Sequence, residues 1–173
     1  ITGWGRMGEP FASQAFNVTP DVLTMAKAIT NGVMPLGAVA SREKIYDTIL
    51  ESSPTGAIEF FHGYTYSAIP VSMAAGLAMQ NIIEKENLFE RSKKMSPYFL
   101  DALFSLKDID GIADIRGYGM MGGIDIKVDE RPGKAGYSCF KKLFEAGLSL
   151  KATGDCLIVA PPFVCEEHHI DEI

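Results

Sequence analysis

The most informative stretch of this chain is PDVLTMAKAITNG, residues 20–32, which contains a short apolar run ending at Lys27. Because a turn former precedes residues 22–26 and Asn31-Gly32 follows them, the run predicts a short buried strand with Lys27 at its end. A lysine cation is costly to bury among Leu, Met and Ala side chains. Lys27 is therefore either a surface residue with a snorkelling stem, the commoner case for an isolated lysine, or part of a ligand-facing loop at the end of a sheet.

Strand and helix signals alternate along the rest of the chain. Residues 36–40 predict a second strand, and Ser41 is expected to cap the helix after it. Pro70 opens a stretch rich in Ala, Met and Leu that predicts one long helix toward Leu106, with an interruption near Pro97. The pattern favours an α/β first part and an α+β second part. In the second part, glycine-separated segments predict strands at residues 112–115, 120–128, 148–150 and 157–160, and a helix at about residues 136–146.

The composition argues against several classes of function. Among 173 residues, 16 are basic and 22 acidic, which gives a formal charge of −6. No cluster of Lys or Arg stands out, so nucleic-acid binding is not expected, and the apolar stretches are too short to predict a membrane span. The three cysteines have no CxxC or metal-ligand spacing. This usage is typical of a reducing compartment, and we expect a cytoplasmic protein.

Both ends of the sequence lead us to expect a segment of a longer protein. Ile1 opens the chain without an initiator methionine or a signal peptide. At the other end, residues 165–173 have the pattern of a helix that begins and then stops, with Glu166 and Glu167 suited to a first turn.

Three stretches resemble class III aminotransferases: GWGRMG at residues 3–8, PDVLTMAKAITNG at residues 20–32 and PLGAV at residues 35–39. That family has the α/β architecture of fold-type I pyridoxal-phosphate-dependent transferases, which the resemblance implies here. Lys27 matches the lysine to which the family attaches pyridoxal 5'-phosphate. By this resemblance, Lys27 is the tether of the cofactor and, once substrate has displaced it, the base that moves a proton.

A further motif, HGYTYS at residues 62–67 followed by Pro70, is similar to a stretch of the same family. The resemblance implies that Tyr64 and Thr65 bind the cofactor, Thr65 through the phosphate of the neighbouring subunit in a homodimer with a shared site. A hydroxyl and N–H groups at the start of a helix suit a phosphate. Taken alone, the aromatic-rich residues 59–66 are more typical of an ordinary core. Ala68-Ile69 stand where the family commonly has Gly-His, and no role is assigned to them.

Two more motifs lie in the second part of the chain. RGYGMMG, residues 116–122, resembles the beginning of the family's small domain, and LKATGDCLIVAPP, residues 150–162, resembles the substrate-carboxylate segment of ω-amino acid:pyruvate aminotransferases. Lys151 stands where that subgroup usually has arginine. Lysine offers a flexible point charge in place of a planar fork. Lys151 is therefore either a binding residue for a substrate carboxylate or sulfonate, or an ordinary solvated residue.

The resemblance also implies a division into domains. Residues 1–75 would form the C-terminal part of the large cofactor-binding domain, residues 76–107 a long connecting helix, and residues 108–173 a truncated small α+β domain. In the family, the aspartate that pairs with the pyridine nitrogen would precede Ile1. We therefore expect this segment alone to be inactive.

For the parent enzyme the expected reaction is transfer of an amino group from an ω-amino acid or amine donor to pyruvate or a similar 2-oxo acid acceptor. Residues 5–6 and 153–155 favour this ω-type reaction over an aminomutase. The alternatives are another class III reaction, by an aminomutase or a decarboxylating transaminase, or a non-catalytic dimerisation module.

Overall fold

The computed structural model describes residues 2–58, 60–128 and 131–173. Ile1 and Glu59, where the first predicted domain and the predicted aromatic-rich stretch begin, lie outside the described residues. The elements follow in chain order as α1 (Ala12–Ala15), β1 (Val22–Ala26), β2 (Gly37–Ser41), α2 (Glu43–Ser52), α3 (Pro70–Lys85), α4 (Leu88–Ser105), a 3-10 turn (Leu106–Asp108), β3 (Ile112–Tyr118), β4 (Met121–Ile126), α5 (Lys134–Glu145), β5 (Lys151–Thr153), β6 (Cys156–Val159) and α6 (Glu167–Glu172).

The chain divides into two compact units. Residues 16–86 form the first, and residues 2–15 together with 87–173 form the second. Within the part of the chain that the structure describes, no helix is long and apolar enough to cross a membrane.

A two-stranded antiparallel sheet lies at the centre of the first unit. β1 pairs with β2 from Val22 opposite Ser41 to Ala26 opposite Gly37. Both strands were predicted, but the prediction that β1 is buried is wrong for this chain, because Val22 and Thr24 are exposed and every residue of β2 is exposed. Among the described residues β1 pairs with β2 alone, and two strands by themselves bury little surface.

The start of α2 also differs from the prediction. Ser41 does not cap this helix, since it is the last residue of β2, and Arg42 occupies the capping position without a side-chain cap. Arg42 instead pairs with Asp21: its Nε lies 3.0 Å from the carboxylate, and its N–H donates to the Asp21 carbonyl oxygen at 3.0 Å. The strand pairing thus continues to the residue before the helix and leaves the Ser41 hydroxyl out of reach of the helix end.

The predicted long helix is two helices. α3 ends at Lys85 and α4 begins at Leu88, with Asn87 between them in the left-handed conformation (φ +49°). Asparagine tolerates this backbone better than most residues. Pro97 lies inside α4 and does not end it. The helix continues past the proline because Phe99 and Leu103 on its next turns are buried in the core.

The second unit is built on a four-stranded antiparallel sheet in the order β3-β4-β6-β5. One face of the sheet supplies the core: Ile115 pairs with Ile124, and Ile124 pairs with Leu157. α4 packs closely on this face, where a Cβ added at Gly122 would lie 2.4 Å from Leu103. The strand predicted at residues 148–150 begins three residues later. Residues 148–150 instead connect α5 to β5, because the Leu148 N–H donates to the Leu143 carbonyl oxygen and closes the helix end.

Residues 2–15 join the second unit through Arg6. Its guanidinium donates to the carbonyl oxygens of Met120 (3.0 Å) and Pro161, and lies 4.6 Å from the centre of the Phe163 ring. Burial lowers the pKa of the Arg6 guanidinium. The sequence assigned no role to Arg6, and the structure gives it a structural one, since its charge is placed among carbonyl dipoles and an aromatic face.

Candidate functional site

Lys27 follows the last residue of β1 directly and is exposed. Residues 27–34, here called the lysine turn, are held by backbone hydrogen bonds: the N–H groups of Thr30 and Gly32 donate to the Lys27 carbonyl oxygen at 3.2 and 3.3 Å. Thr30 is buried, and its hydroxyl donates to the Met34 carbonyl oxygen at 2.6 Å. The amine of Lys27 is thus carried by a fixed backbone and reaches solvent.

The backbone of Lys27 is in the left-handed region, with φ +59°. Three of the described non-glycine residues with positive φ are asparagines, which adopt this conformation readily. The other three are Lys27, Tyr64 and Ala68, all in the two motifs that the sequence singled out. Strained backbone of this kind is concentrated at functional sites in proteins. It is an independent indication that these two segments form a site.

Residues 60–69, here called the aromatic loop, lead into α3. The ring of His62 meets the ring of Tyr64 edge-on at 4.2 Å, and the Ser67 N–H donates to the Tyr64 carbonyl oxygen at 3.0 Å. Thr65 is exposed in the turn between them. Pro70 stands in the first turn of the 16-residue α3, whose leading N–H groups have no partner within the helix. Such a helix end favours an anion.

An open pocket of about 720 Å³ lies between the two segments of the first unit. The end of β1, residues 35–39, the aromatic loop and the start of α3 line it. Tyr64 lines the pocket, whereas Lys27 and Thr65 are beside it in the sequence but not in its wall. His62 and Tyr66 also line it. The sequence motif contained both of these residues, but nothing in it indicated that they face a pocket.

Lys151 belongs to the second unit, where it is exposed on β5 opposite Ile158 of β6. Strand pairing places Arg116, Gly123, Ile158 and Lys151 in one row across the sheet, on the face opposite the core. The Arg116 guanidinium bonds to both oxygens of Asp125 (2.6 and 2.9 Å) and to Asp114 (2.7 Å). These bonds, to Asp125 first, raise the pKa of Arg116. Arg116 is thereby occupied, and Lys151 carries the other positive charge of that row.

The fold is similar to that of solved transaminases. A transaminase described with L-ala has a TM-score of 0.90 at 30% identity, over 99% of this chain and 42% of its own. The ω transaminase from Pseudomonas jessenii in complex with PMP has a TM-score of 0.91 at 27% identity, over 99% of this chain and 39% of its own. The predicted fold class, a partial fold-type I transferase, is confirmed.

The chain belongs to the class III aminotransferases, because the model of that family matches residues 1–173. The ω-aminotransferase of Caulobacter vibrioides is 42% identical and the ω-amino acid–pyruvate aminotransferase of Pseudomonas putida 40% identical, each over all of this chain. The chain spans 39% of the length of these relatives. The predicted family is confirmed, and it is a family that depends on pyridoxal phosphate.

The left-handed backbone predicts an unusual order of stability for variants of Lys27. Lys27→Gly and Lys27→Ala both remove the amine, but only glycine accepts φ +59° without a Cβ clash. We expect the glycine variant to be the more stable by about 1 kcal/mol in urea unfolding without cofactor.

The matched control is Lys94 in the middle of α4, where the helical backbone should reverse the order and favour Lys94→Ala over Lys94→Gly by about 1 kcal/mol. A Lys27→Ala variant as stable as or more stable than Lys27→Gly would show that position 27 is not strained.

Proposed function

We propose that the full-length protein is a pyridoxal-phosphate-dependent aminotransferase that moves an amino group from an ω-amino acid or amine to pyruvate or a similar 2-oxo acid. The observation that carries the proposal is Lys27, an exposed amine on a strained and fixed turn at the end of a strand, in a chain of this family. The names of the Caulobacter vibrioides and Pseudomonas putida relatives support an ω-amino donor, and the name of the Pseudomonas putida relative supports pyruvate as the acceptor.

The residues present fit the cofactor. Pyridoxal phosphate needs an amine for its aldehyde, an anion site for its phosphate and room for its ring. One subunit offers the Lys27 amine and an open pocket of about 720 Å³ that has Tyr64 in its wall and Lys27 outside it, and the start of α3 in the neighbouring subunit offers the anion site. A pocket of this size is within the range of small-molecule sites. When bound, the cofactor supplies an aldehyde that condenses with amines and a ring that accepts electrons.

Lys27 has two tasks in the proposed reaction. Its Nζ is the covalent anchor, and the hydrogen-bonded lysine turn fixes where that anchor begins. After an amino substrate has displaced it, the same Nζ is free to move a proton between the reacting carbon of the substrate and the cofactor.

Thr65 is proposed to bind the cofactor phosphate of the neighbouring subunit, so that the active enzyme is a homodimer with shared sites. The exposure of the aromatic loop supports this proposal, since Phe61, Tyr64 and Tyr66 are 91%, 61% and 84% exposed in the single chain. Large aromatic side chains so exposed and so close together are typical of an interaction surface.

Lys151 is proposed to pair with the carboxylate of the substrate. It is exposed on the polar face of the sheet, while the neighbouring cation Arg116 is committed to two aspartates. A lysine ammonium can bind a carboxylate or a sulfonate as a point charge.

We further propose a cytoplasmic location, supported by three free cysteines, and no turnover by the isolated chain, which holds 39% of the length of its relatives.

A donor screen with the full-length protein tests the reaction. With pyruvate and a series of ω-amino acids and terminal amines, we expect alanine to form in proportion to donor consumed, and Lys27→Ala to abolish it. Isomerisation of a single amino aldehyde without any 2-oxo acid would indicate an aminomutase instead. Donor-dependent release of CO₂ would indicate a decarboxylating transaminase, and absence of turnover together with absence of cofactor binding would indicate a non-catalytic module.

Subunit complementation tests the role of Thr65. Thr65→Asp places a negative charge against the phosphate, so this variant and Lys27→Ala should each be inactive as homodimers. Unfolding and refolding them together in equal amounts produces heterodimers in which one site combines an intact Lys27 with an intact Thr65 from the partner. We expect about a quarter of the wild-type activity.

The control for this experiment is Thr55→Asp, an exposed threonine outside the motif, which should stay active as a homodimer. If the Lys27→Ala and Thr65→Asp mixture stays inactive although heterodimers form, Thr65 serves its own subunit and the shared site is refuted.

A further inference from the structure

A tight hairpin joins β5 to β6. Thr153 pairs with Cys156, and Gly154 and Asp155 form the two-residue turn between them, with Gly154 at φ +61°. A glycine with positive φ at the first turn position is typical of the hairpins whose twist matches that of a sheet. The carbonyl oxygen of Asp155 also accepts the N–H of Ile126 at 2.9 Å, which ties the turn to the end of β4.

The side chain of Asp155 reaches a different element, the start of α5. One carboxylate oxygen accepts the N–H of Gly133 at 2.6 Å, and the other accepts the N–H of Gly136 at 2.8 Å. Gly133 is the residue before the first turn of α5 and has no side chain with which to cap it. Asp155 therefore supplies the cap from another part of the chain. The N–H groups of Gly133 and Gly136 lower the pKa of the Asp155 carboxyl.

Gly136 shows how closely the hairpin and the helix approach. A Cβ at this position would lie 2.3 Å from the Gly154 carbonyl oxygen and 2.6 Å from the Asp155 Cα. No side chain fits between them, so the turn rests directly on the first turn of α5. The contact between backbones gives the Asp155 hydrogen bonds a fixed geometry.

Lys151 lies on β5, the strand that leads into this turn. β5 has three residues and lies at the edge of the sheet, where it pairs with one strand, β6. Within β5, Lys151 and Thr153 are exposed on one face, while Ala152 between them packs against the core. So short an edge strand has few ladder bonds to hold it, and its position depends on the turn that leads out of it.

We propose that Asp155 is a positioning residue, whose carboxylate fastens the β5–β6 hairpin to α5 and so holds Lys151 in place to pair with the carboxylate of the 2-oxo acid. The proposal rests on the substrate role of Lys151 in the proposed function. It assigns to Asp155 an effect on carboxylate recognition and none on the attachment of the cofactor.

The test uses the full-length enzyme and two acceptors, pyruvate and propanal, which lacks a carboxylate. In Asp155→Asn an amide N–H₂ replaces one of the two accepting oxygens. We expect the KM for pyruvate to rise about ten-fold, while the KM for propanal, kcat and bound cofactor change less than two-fold. Asp155→Ser, whose single hydroxyl is one bond shorter than the carboxylate and cannot reach both N–H groups, should show a rise at least as large. Asp101→Asn, on the exposed side of α4, is the matched control and should change nothing.

A double-mutant cycle separates the proposed role of Lys151 from that of Asp155. Lys151→Ala should raise the KM for pyruvate and not that for propanal, and adding Asp155→Asn to it should give no further rise. If Lys151→Ala leaves the KM for pyruvate unchanged, the proposed role of Lys151 is wrong.

If Lys151→Ala acts as expected, three results would overturn the positioning role of Asp155 alone. They are an unchanged KM in both Asp155 variants, an equal rise for pyruvate and propanal, and full additivity in the double variant. If Asp155→Asn does not fold, the same measurements on Asp155→Ser test the positioning role.

Discussion

One hydrogen bond joins the two segments of the first unit that carry candidate cofactor-binding residues: the hydroxyl of Ser72, on the first turns of α3, donates to the carbonyl oxygen of Pro35, which follows the lysine turn, at 2.9 Å. Ser72 is buried, and on the next turn of the helix the side chains of Ile29 and Leu36 pack against Gly76. A Cβ at position 76 would lie 3.2 Å from Leu36 Cδ2, so the segment after the lysine turn packs closely against α3. The bond therefore sets the relation between the turn that carries Lys27 and the helix that follows Thr65.

Hydrogen bonds from side chains to the backbone of distant segments also hold the second unit together. Arg6, Arg91 and Asp155 each bind backbone groups of a distant segment: Arg6 the carbonyls of Met120 and Pro161, Arg91 those of Phe163, Val164 and Cys165, and Asp155 the N–H groups of Gly133 and Gly136. Charged hydrogen bonds to backbone are stronger than neutral ones and position irregular chain without regular secondary structure. Such bonds hold the irregular segments of this unit against its sheet and helices.

The local features of the fold were predictable from the sequence, and the long-range ones were not. β1, β2 and the start of α3 follow from short apolar runs and from Pro70, which act on neighbouring residues alone. The prediction that Ser41 caps α2 was wrong, because the start of this helix depends on the pairing of Arg42 with Asp21, which is 21 positions away. The break at Asn87 was missed because a proline is the stronger signal in a sequence, although packing of Phe99 and Leu103 carries α4 past Pro97.

The candidate site shows the same limit. The lysine, its family and the aromatic motif were evident from the sequence, since motifs consist of neighbouring residues. The left-handed backbone of Lys27 was not, because lysine has no preference for that conformation and the lysine turn is held by hydrogen bonds among its own residues. The anchors Ser72 and Asp155 were missed for another reason: their partners lie 37 and about 20 positions away, and no periodicity links them.

Borohydride reduction of the full-length protein with pyridoxal phosphate, followed by peptide mapping, identifies the residue that holds the cofactor. Reduction makes the bond between cofactor and amine permanent, so the labelled peptide contains the anchoring residue. We expect a single pyridoxyl label on Lys27, with none in Lys27→Ala and an unchanged label in Lys44→Ala. A label on any other lysine, or protein that retains no cofactor, would contradict this expectation.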